Sequence, residues 1–252
     1  MTTSLPNILV FSFRPKIARN DGIERLRLLL APHAKLFVIS ISDEYQTMPS
    51  PADTLRYVDG LFILGSSDLF FDGQRDSLDP AKKQTRAIVE SLRPLVNHII
   101  ERDLPTFAFC FGHQLIAHCM GSPVAASPEM AKVGTYEVEL TEEGQNDPMF
   151  ASFPKTFWAH YGHRDVVATR PKASTLLAHG KRCHNTMLRY GSKIYTSQFH
   201  PELDGQLVQQ YLGGHSAYAG DTISRSEIRE TPYAESLPVR FIEMLRQGNL
   251  PV

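Results

Sequence analysis

The sequence lacks any apolar run that approaches the roughly 20 residues needed to span a bilayer. Residues 1–7 are polar, with no basic region ahead of an apolar core, so we predict no signal peptide and no membrane association. Neither sign of charge prevails, because 26 Lys and Arg residues face 27 Asp and Glu residues. A net charge of −1 supplies no broad attraction for nucleic acid or a membrane surface, so we expect neither as a partner.

Cysteine is also scarce in this chain. Cys110, Cys119 and Cys183 show no paired spacing, which favours a reducing compartment over a disulfide scaffold. Cys110 and His113 have no second pair at a spacing that suits a metal, and the chain has no Gly-rich phosphate loop with a lysine. We therefore predict a cytoplasmic protein that uses no metal and no other cofactor.

Apolar strands alternate with amphipathic helices through the first half of the chain, and shorter strands follow in the second half. Residues 43–59 are polar and contain two prolines, which indicates mostly loop. The patterns predict strands at 7–13, 35–42, 60–64, 106–109, 135–140, 174–178, 186–190 and 193–199, and helices at 22–32, 80–102 (kinked or divided at Pro94), 113–120 and 239–246.

This order of elements predicts an α/β, flavodoxin-like, three-layer fold with a central, mainly parallel sheet. The strand at 135–140 alternates polar and apolar residues and is followed by further short strands, which indicates an antiparallel portion added to the same sheet. No repeat, low-complexity tract or linker divides the chain, so we expect a single domain over 1–252 with a C-terminal extension from about residue 212.

A candidate nucleophile lies where the strand at 106–109 ends. Cys110 follows this strand directly, and Gly112 precedes a segment with helical spacing. A sharp turn from strand to helix exposes the turn residue above the sheet edge, near the positive end of the helix dipole. The sequence therefore predicts that Cys110 is an activated thiol in a nucleophile elbow.

Partners for this thiol are found in both halves of the chain. Residues two apart on an extended backbone share a side, so His200 and Glu202 can act as base and orienting carboxylate. Gly65 and Ser66, after the strand at 60–64, can point backbone N–H groups into the crevice at the carboxyl edge of the sheet. The N–H of Phe111, next to the nucleophile, would be the second oxyanion donor.

The segments FAFCFGHQLIAHCMG and TSQFHPE together resemble the class I, or triad, glutamine amidotransferases. FWAHYGHRDVV is similar to that family's Trp-x-x-His-x-Asp-x-Val stretch, and VGTYEVELTEEGQNDPMF to the stretch that ends in Asp-Pro-Leu-Phe. The resemblance is strongest to stand-alone proteins similar to the GMP synthetase glutaminase domain and to the γ-glutamyl peptidases. It implies hydrolysis of glutamine or another γ-glutamyl amide through a thioester on Cys110, with Gln114 and the backbone of Gly162 and His163 binding the substrate.

The sequence departs from the family at three places. Ala108 stands where the elbow often has glycine, which predicts a slightly strained turn. Ser67 replaces a common proline in the oxyanion loop, and Lys132-Val133 lacks a glutamate often found there, which predicts an altered specificity or partner contact.

Three functions agree with these residues. The first is glutamine amide hydrolysis, with ammonia released or passed to a separate synthase subunit. The second is a γ-glutamyl peptidase acting on glutathione-like substrates. The third is a catalytically silent regulatory protein of the same fold, which the intact set of Cys110, His200 and Glu202 disfavours.

Overall fold

The computed structural model describes residues 4–13, 21–214, 224–225 and 227–248. The predicted C-terminal extension lies partly outside the described residues. The elements of the first half, in chain order, are β1 (Asn7–Ser12), α1 (Asp21–Leu30), β2 (Lys35–Ser40), α2 (Ile41–Glu44), α3 (Pro51–Thr54), β3 (Gly60–Ile63), α4 (Pro80–Arg102), β4 (Thr106–Phe109) and α5 (Phe111–Cys119).

The second half is richer in strands. Its elements are β5 (Val124–Ala126), β6 (Lys132–Leu140), α6 (Glu142–Gln145), β7 (Thr156–His163), β8 (Asp165–Val167), β9 (Ser174–Gly180), β10 (Cys183–Tyr190), β11 (Ile194–Ser197), α7 (Gly205–Gly214), β12 (Ser224–Arg225) and α8 (Pro232–Gln247).

One sheet runs through both halves of the chain. Five neighbouring strands, in the order β2-β1-β3-β4-β11, are parallel, and the chain reverses its direction of winding between β1 and β3. The antiparallel strands β10, β9, β6 and β7 extend this sheet beyond β11. The predicted mainly parallel sheet with an antiparallel portion is confirmed, and the parallel strands follow the flavodoxin-like order.

Helices cover both faces of the sheet, because its central strands are apolar on both sides. Ile8 and Val10 of β1 pack on one face, together with side chains of α1 and α8. Leu9 and Phe11 point to the other face and pack with α4 and α5. The three-layer α/β architecture is therefore built directly on the near-continuous apolar strands seen in the sequence.

Two local predictions differ from the structure. Residues 43–59 contain short helical turns as well as loop, namely the end of α2, a 3₁₀ turn at Tyr45–Thr47 and α3. Helix α4 is continuous through Pro94, so the prediction that it divides there is wrong. Pro94 is exposed while seven other side chains of the helix are buried, so the hydrogen bond that proline cannot make lies on the solvent side.

No helix within the described segments combines the length and the apolar character needed to cross a membrane.

Candidate active site

The elbow after β4 has the backbone shape of a tight nucleophile turn. Cys110 has φ 48° and ψ −102°, a conformation that costs a non-glycine residue on the order of 1–3 kcal/mol. Its N–H donates to the carbonyl of Ser197 at 2.7 Å, so the turn is held by β11. Helix α5 begins at the next residue, Phe111, whose N–H belongs to the unpaired first turn.

Gly112 makes the close approach of α5 to β3 possible. A Cβ atom at this position would lie 2.3 Å from the carbonyl oxygen of Ile63, far inside van der Waals contact. The glycine therefore fixes how near the first turn of α5 can come to the carboxyl end of β3.

Replacing Gly112 by Ala is expected to lower the free energy of unfolding by about 2–3 kcal/mol, because backbone must move to admit the methyl group. Chemical denaturation measures the change. Gly121→Ala is the matched control: its φ is +81° and nothing lies within 4 Å of the added Cβ, so it carries only a backbone cost of about 1 kcal/mol. Equal losses in the two variants would contradict the steric argument.

His200 and Glu202 form a hydrogen-bonded pair beside the elbow. His200 Nδ1 lies 2.8 Å from Glu202 Oε1, and both side chains are largely buried. The segment follows β11, which pairs in parallel with β4 through Phe109 and Ser197, so the candidate nucleophile and the candidate base follow the ends of adjacent strands. Burial alone lowers the pKa of His200, but Glu202 and the Cys110 thiol together hold it well above 6.5.

The loop after β3 lies directly against this pair. A Cβ on Gly65 would be 2.8 Å from His200 Cε1 and 3.3 Å from Cys110 Cβ, so the backbone of Gly65 touches both side chains. Ser66 Oγ accepts hydrogen bonds from the N–H groups of Asp68 and Leu69, both at 3.2 Å. These two bonds shape the loop in place of the proline that the family often has at position 67.

Gln198 is a residue at the site to which sequence reasoning gave no role. Its side chain is fully buried, and its Nε2 lies 3.6 Å from Cys110 Sγ. Its Oε1 accepts from Gln114 Nε2 at 3.2 Å, which joins the elbow helix to the segment of the base. The QFHPE stretch contained the signal, since Gln198 and His200 share one side of an extended chain.

Gln114 faces the inner wall of the site. Its Nε2 also donates to the carbonyl of Asp165 at 2.7 Å, so both amide hydrogens are engaged. The carboxylate of Asp165 accepts from the N–H groups of Asp72 and Gly73, at 3.0 and 2.6 Å. The carboxylate of Asp165 therefore fixes the loop at Asp72 and Gly73 to the start of β8, and the carbonyl of the same residue accepts from Gln114.

Gly162 and His163 lie at the end of β7, close to the thiol. The carbonyl of Gly162 is 3.9 Å from Cys110 Sγ. The ring of His163 is buried against Tyr161. Burial, together with the charges of Lys132 and His200, lowers the pKa of His163 far below 6.5 and keeps the ring neutral.

His113 of α5 contacts strand β11 in the protein interior. It is fully buried, with Nδ1 at 2.7 Å from Thr196 Oγ1. Burial lowers its pKa to about 3, so it is a neutral packing residue of α5. No three His, Cys, Asp or Glu side chains in the described part of the chain are grouped so as to hold a metal ion.

The other two departures are structural. Ala108 lies inside β4, paired on both sides, and the positive φ falls on Cys110 instead. Lys132 and Val133 are each 1% exposed, so the prediction that their side chains contact a partner is wrong for the folded chain. Lys132 Nζ lies 3.8 Å from the centre of the Tyr161 ring, and burial lowers its pKa to about 8.

Known proteins share this sequence pattern and fold. The model of the class-I glutamine amidotransferase family matches residues 79–212. The glutamine amidotransferase-like protein YfeJ of Salmonella typhimurium is 30% identical over 135 residues, covering 54% of this chain and 56% of its own. A subunit of the glutamine-hydrolysing GMP synthase of Methanocaldococcus jannaschii is 29% identical over 116 residues, covering 46% and 60%. The match thus spans little more than half the length of these curated relatives.

Solved structures resemble the whole described fold. A GMP synthase subunit from Thermoplasma acidophilum superposes with a TM-score of 0.68 at 16% identity, covering 98% of both chains. A glutamine amidotransferase of Thermotoga maritima gives 0.65 at 16% identity, covering 96% of this chain and 97% of its own. At this identity the likeness establishes the fold, while the family match covers more than half of the sequence. The chain belongs to the class-I glutamine amidotransferase family.

Proposed function

We propose that the chain hydrolyses the side-chain amide of glutamine through a γ-glutamyl thioester on Cys110. The observation that carries this proposal is the meeting of three features at one sheet edge. Cys110 lies on a strained turn, the His200–Glu202 pair lies beside it, and Gly65 touches both Cys110 and His200. These are the parts that thiol acyl transfer requires.

Acylation begins with attack of the Cys110 sulfur on the amide carbon of glutamine. The carbonyl oxygen becomes an oxyanion, which the N–H groups of Phe111 and of the loop at Gly65 and Ser66 stabilise. His200 gives its proton to the amide nitrogen, the C–N bond breaks and ammonia leaves. Glu202 stabilises the imidazolium that exists before this transfer.

Deacylation reverses the roles of the base. His200, now neutral, takes a proton from water as the water oxygen attacks the thioester carbon. The C–S bond breaks, glutamate leaves and the thiol–imidazole pair is restored. The net reaction consumes one glutamine and one water and yields glutamate and ammonia.

Gln114 is suited to the amino-acid end of the substrate. Both hydrogens of the Gln114 amide already donate hydrogen bonds within the protein. Gln114 can therefore meet a ligand only as an acceptor, through its Oε1 atom. An α-ammonium group is the complementary donor. The backbone of Gly162 and His163, beside the thiol, would bind the same end of the substrate.

A second chain is a suitable recipient of the ammonia. Some relatives are named as subunits of GMP synthase, which supports a separate synthase chain in the role of partner. The decisive assay measures glutamate release from glutamine and from γ-glutamyl peptides side by side, with the purified chain alone. Preferential cleavage of the peptides would replace glutamine by the γ-glutamyl peptidase function, and inertness toward both with an unreactive Cys110 would favour a silent regulatory protein.

The pH profile of kcat/KM is expected to be bell-shaped, with its alkaline limb above the ordinary histidine value of 6.5. The active form pairs a thiolate with an imidazolium. Since the pKa of His200 is raised, activity is retained above 6.5 and falls only as the pH rises through the raised value. Initial rates between about pH 5 and 10 measure it, and an alkaline limb below 6.5 would contradict the His200–Glu202 pairing.

A further inference from the structure

Two buried polar atoms beside the His200–Glu202 pair have no hydrogen-bond partner among the described residues. One is Glu202 Oε2, the carboxylate oxygen that does not face His200. The other is Nε2 of His160, a residue with no exposed surface. A buried carboxylate oxygen without a hydrogen-bond donor costs on the order of 1–3 kcal/mol of stability, so the presence of two unpartnered atoms here requires an explanation.

His160 is built into the same corner of the site. It lies in the interior of β7, and its carbonyl accepts the N–H of His200 at 2.8 Å. Its ring Nδ1 is 3.0 Å from Thr135 Oγ1, on the neighbouring strand β6. The other ring nitrogen, Nε2, has no partner among the described residues, and the charges of both His200 and Glu202 act on the His160 ring.

The other charged groups around this corner are already paired. Arg25 of α1 forms ion pairs with Asp204, at 2.8 Å, and with Glu235 of α8. Glu235 also accepts from Thr231 at 2.8 Å. Among the described side chains that act electrostatically on His160, the Arg25 cation is thus ion-paired with carboxylates other than Glu202, although its Nε makes no aligned hydrogen bond.

We propose that His160 is a positioning residue of the triad, whose Nε2–H donates to Glu202 Oε2 and holds Oε1 against His200. The two atoms form no hydrogen bond in this structure, so the proposed bond requires a side-chain rotation or one bridging water molecule. This role rests on the proposed function, because it acts through the catalytic pair. With both oxygens engaged, the carboxylate cannot rotate away from the imidazole.

A neutral histidine suits this position better than a cation. Burial, and after it the charge of His200, lowers the pKa of His160 to about 4. The ring can therefore donate a hydrogen bond without adding a positive charge that would oppose the His200 imidazolium. A lysine or arginine here would compete with His200 for Glu202.

The test compares His160→Phe, His160→Gln and His160→Asn. The amide nitrogen of Gln can reach the place of Nε2, whereas that of Asn reaches only the place of Nδ1. His160→Phe and His160→Asn are expected to lower kcat/KM roughly 10- to 100-fold and His160→Gln to restore most of it. The bell-shaped profile of kcat/KM against pH should narrow by about one pH unit in His160→Phe and His160→Asn, because a freely rotating Glu202 stabilises the His200 imidazolium less.

Alkylation of Cys110 by iodoacetamide supplies a readout that needs no turnover. Its rate against pH, followed by mass spectrometry, should show the thiolate inflection moving to higher pH in His160→Phe and His160→Asn but not in His160→Gln. Adding His160→Phe to Glu202→Gln should change the rate less than twofold, since the carboxylate to be held is already gone. A full additional loss in the double variant would mean a merely structural role and overturn the proposal.

Nitrogen-15 NMR of the unaltered chain covers the case in which the variants fail to fold. The proposal requires the Nε2–H tautomer of His160, and the Nδ1–H tautomer would overturn it. The two hypotheses fail differently. Glutamine hydrolysis with unshifted profiles in His160→Phe overturns only the role of His160, whereas a shifted alkylation profile without any hydrolysis by the unaltered chain overturns only the proposed function.

Discussion

Replacing Cys110 with Ala is expected to lower the rate of glutamine hydrolysis by a factor on the order of 10⁴–10⁶, because no other described group at the site can carry the acyl intermediate. The side chain keeps its Cβ, so the cost of the positive φ is carried as before, and only weak sulfur contacts are lost. The unfolding midpoint should therefore stay close to that of the unaltered chain. Glutamate release and thermal unfolding, measured on the same preparation, separate loss of chemistry from loss of structure.

Cys119→Ala is the matched control for this prediction. Cys119 ends the same helix α5, is partly buried and lies at the opposite end from the nucleophile. This variant should retain its activity and, like the unaltered chain, its labelling by a glutamine-like electrophile at Cys110. Glutaminase activity that persists in Cys110→Ala would sink the assignment of the nucleophile, and failure of the unaltered chain to be labelled at neutral pH would favour the silent regulatory protein.

Replacing Gly65 with Ala is expected to lower kcat by about 10²–10³-fold, comparable to the loss of an oxyanion donor. The added methyl group would lie 2.8 Å from His200 Cε1 and 3.3 Å from Cys110 Cβ. The loop at Gly65, the His200 ring or the Cys110 side chain must shift, and a displacement near 1 Å of a catalytic group lowers the rate about 10²-fold. The expected effect falls mainly on kcat, because the clash separates the proposed base, nucleophile and oxyanion loop, whereas the amino-acid end of the substrate is proposed to bind at Gln114, Gly162 and His163.

Ser67→Ala controls for a general loosening of this loop. Ser67 Oγ donates to the exposed carboxylate of Asp68 at 2.9 Å, so its loss should leave kcat within about twofold. Steady-state kinetics of both variants, with His200 alkylation or NMR to detect ring displacement, provide the measurement. An active Gly65→Ala enzyme would show that the loop can retreat and that its backbone is not needed at the oxyanion.

The parts of the fold that sequence could predict are those encoded by neighbours in the chain. Strands β1, β3 and β4 are short apolar runs, and the elbow is a local sequence of strand, cysteine and glycine. The pair His200 and Glu202 was also accessible, because two residues in an extended segment share a side. The register that brings this pair to Cys110 agrees with the expectation that parallel strands present their carboxyl ends at one edge.

The parts that sequence could not predict depend on contacts between distant segments. Strand β7 contains Trp158, Tyr161 and three polar residues, a pattern too mixed to predict a buried strand. In the structure β6 nevertheless pairs with β7 along its whole length. His160 is buried within that strand, and no spacing in the sequence marks it as a residue of the site. Gln198 and His160 acquire their roles only from what the fold places opposite them, which no local spacing encodes.

The attachment of Cys110 and His200 to adjacent parallel strands has a consequence for how such a chain can diversify. Cys110 and His200 are kept together by the ladder between β4 and β11, whatever the length of chain between them. The turn between β9 and β10, where Lys181 is exposed, is not part of that ladder, and the Arg182 side chain beside it donates to the carbonyl of Pro128 at 3.4 Å. Such a turn can lengthen over evolution, or accept a grafted recognition loop, at a modest entropic cost and without altering the chemistry.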